Sequence, residues 1–92
     1  MPSIQVHGMR RGDGHQLAET IFEEIKKVDE NLAKDTVVEM CDSLVVDVNF
    51  KEKPFIRVCS FLVSELEAMR KILHPLGYRI ETLKLESSSP KK

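Results

Sequence analysis

The amino-acid sequence predicts an α+β fold built from two βαβ units, and three observations carry that prediction. Apolar and polar residues alternate with period two in several short stretches. Two longer stretches place apolar residues at steps of three and four, and glycine, proline and charged residues separate these segments. The implied order is βαββαβ, a four-stranded mixed sheet with two helices on one face. At 92 residues the chain forms one domain, because so short a chain cannot close two cores. That domain is placed at residues 1–86. Residues 87–92, Ser-Ser-Ser-Pro-Lys-Lys, offer nothing apolar to bury and are expected to be a disordered tail.

The first strand is expected at residues 3–7, where Ile4 and Val6 alternate with Gln5 and His7. Residues 8–14 hold three glycines and two arginines and read as a loop. Asp13 closes it as a helix N-cap, with Gln16 three residues later. Leu17, Ile21, Ile25, Val28 and Leu32 then form one apolar stripe along a helix. From Thr36 the composition turns β-branched. Residues 36–40 and 44–50 read as strand, separated by a bend at Asp42-Ser43, and Leu44, Val46, Val48 and Phe50 alternate cleanly. A polar turn through Pro54 leads to a third strand at 55–61, so 44–50 and 55–61 are expected to pair as a hairpin. Ser64 and Glu67 read as a capping box for a short second helix carrying Leu66, Met69, Leu73 and Leu76 and stopped by Pro75 and Gly77. In the last strand, 78–86, Ile80, Leu83 and Leu85 break parity, which implies a bulge or a change of exposed face.

Composition narrows the function classes. Fourteen basic residues against 15 acidic ones, interleaved along the chain, do not make a nucleic-acid footprint. No apolar run reaches the roughly 18 residues of a membrane span, and the first eight residues lack a secretory h-region, so a cytoplasmic location is expected. Cys41 and Cys59 lie in apolar stretches and read as reduced core thiols. His7, His15 and His74 show no metal-ligand spacing with them, so no metal site is expected.

Met1-Pro2 followed at once by a strand, a glycine-containing loop and an amphipathic helix resembles the opening of the tautomerase superfamily. That superfamily contains 4-oxalocrotonate tautomerase and macrophage migration inhibitory factor. The stretches MPSIQVHGM, KPFIRVCSF and HPLGY look like an uncharacterised bacterial family within it. The resemblance implies a tautomerase-like fold assembled as a trimer, no cofactor, and keto-enol chemistry on small 2-oxo acids with Pro2 as acid and base. The short second helix and the missing C-terminal segment of longer members leave part of a pocket or trimer contact unaccounted for.

Physical chemistry adds to what the resemblance implies for Pro2, which on the Met-Pro dipeptide alone reads as a tolerated second residue. Once Met1 is removed, its nitrogen is a secondary amine, and an α-amino group titrates near 7.7 to 8.0, close to where a proton-transferring base works best. Arg11 first and Arg10 second are candidates to hold a substrate carboxylate through their planar forks, one residue out of the superfamily's register. Arg57 is a further candidate, with a structural ion pair as its other use, and Tyr78 a candidate hydrogen-bond donor. His7 reads as a solvated strand residue. The alternative function is a non-catalytic binding or regulatory module, since βαββαβ is also the ferredoxin-like order. The two plans differ in whether the first and second strands are neighbours.

Overall fold

The computed structural model describes residues 2–86; Met1 and the expected tail at 87–92 lie outside them. The central strand is β1 (Ser3–His7). It pairs in parallel with β2 (Val37–Cys41), Ser3 opposite Val37, and antiparallel with β3 (Phe55–Ser60), Ser3 opposite Cys59. Strand β4 (Arg79–Lys84) adds in parallel to the far side of β3, giving the order β2-β1-β3-β4. The ferredoxin-like alternative is thereby corrected. It requires another strand between the first and second, whereas β1 and β2 are hydrogen-bonded neighbours.

Among the described residues, three helices pack on one face. They are α1 (Arg11–Val28), α2 (Glu30–Lys34) and α3 (Val63–Leu73), the last followed by a 3₁₀ turn at His74–Leu76. The core joins Ile4, Val6, Ile56 and Val58 from the sheet to Leu17, Ile21 and Ile25 of α1, Ala33 of α2, and Leu66, Met69 and Leu73 of α3. Burying each large aliphatic side chain contributes about 1.5–3 kcal/mol, and these chains hold the layers together. Among the described residues, no helix packs on the other face of the sheet. Strand periodicity assigns it three cross-strand rows: Val37–Ser3–Cys59–Leu83, Glu39–Gln5–Arg57–Glu81 and Cys41–His7–Phe55–Arg79.

Four expectations need correction. First, α1 begins at Arg11, three residues before the expected loop ends, so Asp13 sits in its first turn instead of capping it. Gly8 makes the reversal alone, with φ of 79°, and Gly14 is a buried helical residue whose missing side chain admits the Met40 tip. Second, the stripe is broken at Asp29. Its extended backbone ends α1 and its carboxylate accepts the Asn31 and Leu32 N–H groups to start α2, which turns Val28 out to solvent. Third, Ser64 and Glu67 do not cap α3. The N-cap position is Leu62, with no side-chain cap; Ser60 braces the approach from the preceding strand, accepting the Leu62 N–H at 3.1 Å and donating to Glu65 at 2.5 Å.

Fourth, 44–50 is not a strand and makes no hairpin with β3, because β1 and β4 already occupy both edges of β3. Residues 45–53 instead fold back on themselves as a short tongue, joined by Lys53 N–H to Val45 C=O and Asp47 N–H to Lys51 C=O. The parity break in the last strand is a change of face, not a bulge. Six consecutive pairs run from Phe55–Arg79 to Ser60–Lys84, and Leu83 lies on the helix-free face.

Candidate functional site

The residues nominated from sequence fall at two ends of β1. Pro2 is fully buried just before the strand, and its carbonyl accepts the Val37 N–H at 3.3 Å. Arg10 and Arg11 are exposed beyond the other end, where α1 begins. Six residue steps at about 3.3 Å separate Pro2 from Gly8, roughly 20 Å, far beyond the reach of one substrate carboxylate. Within one chain, then, Pro2 and the loop arginines do not form a single site.

The arginine end is chemically dense. Arg10 lines a shallow cleft with Gly8, Met9, Asp42, Ser43, Leu44 and Glu52, and Arg11 lines another of about 250 Å³ with Met9, Met40, Cys41 and Asp42. On the helix-free face at the same end, the His7 and Phe55 rings stack with centroids 4.7 Å apart and planes within 1°. The Arg79 guanidinium lies 4.7 Å from the Phe55 centroid and that of Arg57 5.4 Å from it. Both guanidiniums bind the one carboxylate of Glu81, Arg57 at 3.0 Å and Arg79 at 3.1 Å. His7 Nε2 donates to the Gln5 amide oxygen at 2.9 Å. The face joins an aromatic platform to two guanidinium forks, with Glu81 between them and Glu39 in the same row.

The ion pair expected for Arg57 is therefore present, with Glu81 as its partner. Tyr78 is half-buried against the core and shares a cleft with Glu52, Lys53, Pro54, Gly77 and Arg79. His7 is not merely solvated, being held between Gln5 and Phe55. Cys59 is buried, whereas Cys41 is only partly so and lies on the helix-free face. Burial pushes the Cys41 thiol up, Glu39 adds to this and Arg57 opposes it, so Cys41 is a protonated thiol near neutrality. Sequence reasoning missed Arg79, Glu81 and Phe55. Their common face follows only from the β3–β4 register, which single-strand alternation cannot supply.

Comparison with known proteins is consistent with the fold and silent on activity. A solved structure described as a domain of unknown function (DUF1904) from Sebaldella termitidis superposes with a TM-score of 0.64 and 16% sequence identity, covering 100% of this chain and 95% of that one. The likeness is one of architecture. No family model matches the sequence, and no curated protein matches it. Among the described residues, no helix is long and apolar enough to cross a membrane.

Proposed function

We propose that the chain is the subunit of a homo-oligomer, a trimer by its resemblance to the tautomerases, that interconverts keto and enol forms of a small 2-oxo carboxylic acid. Pro2, freed of Met1, is the acid and base in this reading, and Arg10 or Arg11 of a neighbouring copy holds the substrate carboxylate; no cofactor takes part. The observation that supports it is the pairing of β1 with both β2 and β3, which sets Pro2 at the head of the central strand and the arginines at its foot. Two copies arranged head to foot would complete what one chain leaves roughly 20 Å apart. A secondary amine in an apolar setting beside a neighbour's guanidinium would titrate lower than a free amine, because burial and a like charge both disfavour its protonated form. The arginine fork would also stabilise the enolate that forms.

The test is ketonisation of phenylenolpyruvate by protein whose mass shows Met1 removed, compared with Pro2→Ala. Turnover in the first and its loss in the second is the expected result. Equal rates in the two would sink the catalytic reading. The burial of Pro2 within one chain favours a second reading, a non-catalytic module that binds carboxylates at the Arg57–Arg79 end.

A further inference from the structure

The tongue at 45–53 is the part of the chain whose sequence pattern the fold leaves unused. Leu44, Val48 and Phe50 alternate as if to cover a sheet, yet they are 77%, 89% and 84% exposed. With Val46 they leave on the order of 500 Å² of residue surface in solvent, more than half of the about 800 Å² each partner gives to a standard interface. The tongue is nevertheless held in shape. The Asp47 carboxylate accepts the backbone N–H groups of Asn49 at 2.8 Å and Lys51 at 3.0 Å. Phe50 sits at φ of 60°, a left-handed conformation that glycine or asparagine adopts readily and a bulky aromatic residue rarely does. The Phe50 ring is thereby held outward in solvent.

Further half-exposed apolar side chains lie at the opposite end of the same molecule. The tongue leaves β2 after Cys41 and rejoins β3 at Phe55, both in the row that ends at Arg79. At the other end, Val37 and Leu83 close the row through Ser3 and Cys59, and Phe61, Leu62 and Val63 follow directly after β3. All five of these apolar side chains are about half exposed. One molecule cannot bring its own two ends together. A contact between unlike patches on identical chains runs head to tail and closes into a ring where the rotation allows.

We propose that the tongue is the docking element by which one copy of this chain engages the apolar end of the sheet in the next copy, with Phe50 as its anchor. The inference rests on the shared-site reading above and names the contact that makes it. Arg10 shares a cleft with Leu44 and Glu52 at the base of the tongue, so docking there carries Arg10 toward the next copy's Pro2.

The test is sedimentation velocity of the full chain at micromolar concentration, for the wild type, Phe50→Gly and Phe50→Asp. Glycine removes the ring while suiting the left-handed backbone, so the monomer keeps its thermal stability and the association alone suffers. An assembled wild type, with dissociation at least about thirty-fold easier in both variants, is the expected result, as for loss of an interface anchor. An assembled wild type whose variants associate equally well overturns the docking role and leaves the shared site to another interface. A monomeric wild type overturns both. Flotation of a monomeric wild type with phosphatidylcholine vesicles would identify a bilayer as the tongue's occupant and likewise overturn the proposal.

Discussion

Ser60→Ala is expected to lower stability by about 2 kcal/mol, a large effect for one hydroxyl. Ser60 is wholly buried, and its oxygen serves both neighbours. It accepts the Leu62 N–H at the start of α3 and donates to the Glu65 carboxylate at 2.5 Å. Losing a hydrogen bond to a buried hydroxyl costs about 0.5–1.5 kcal/mol, and a hydrogen bond to a charged group contributes about 1.5–3 kcal/mol. Glu65 is only half-buried, so water recovers part of that second contribution. For a domain of this size each kcal/mol shifts the melting temperature by about 4–8 °C, so a fall of roughly 8–16 °C is expected by calorimetry. A double-mutant cycle with Glu65→Ala should show coupling of about 1 kcal/mol or more. A fall of less than about 4 °C, or additive effects in the cycle, would refute the role of Ser60 as the brace between β3 and the start of α3.

Other outcomes follow from the same structure. Gly12→Ala should stabilise the chain by up to about 1 kcal/mol in urea unfolding, because Gly12 is helical, exposed, and has open space where a Cβ would stand. The Asp47 carboxyl is held below its ordinary 3.8 by the Lys51 backbone N–H first, then by Asn49 and Lys53. A lowered folded value means that its contribution is present above the unfolded carboxyl value and is lost as pH falls through the folded one. The Asn49 and Lys51 amide resonances should therefore hold their positions at pH 5 and move only below pH 3.8. Cys41, a partly buried thiol with a raised pKa, should alkylate with iodoacetamide at pH 7.5 more slowly than a free thiol, while Cys59 should react only on unfolding.

Much of the fold was legible in the sequence because local pattern and tertiary context agree there. Ile4 and Val6 alternate in β1 and are buried, and Leu17, Ile21 and Ile25 form the core stripe of α1. Where they disagree, the reading failed for identifiable reasons. The alternation of 44–50 is genuine, but a strand needs a partner with a free edge, and β3 has none. Ser64 and Glu67 have capping-box spacing, yet Ser64 lies inside α3, and Ser60, four residues earlier, braces the approach to the helix through tertiary placement. Asp29 reads as one more polar residue on a helix until its extended backbone is known. The candidate site was legible as residue types and not as an arrangement. Pro2, Arg10, Arg11, Arg57 and Tyr78 were nominated, but the distance along β1 that separates Pro2 from Arg10 and Arg11, and the Phe55, Arg79 and Glu81 cluster around Arg57, depend on register.

The claim that a site is completed between copies is tested most directly by subunit complementation. Pro2→Ala and the double variant Arg10→Ala/Arg11→Ala are prepared separately, then refolded together at equal amounts and assayed with phenylenolpyruvate. Each should be inactive alone. Random pairing of unlike surfaces gives about a quarter of the sites both an intact proline and intact arginines, so the mixture should recover about a quarter of the wild-type rate. A mixture as inactive as its components, beside an active wild type, would contradict the shared site.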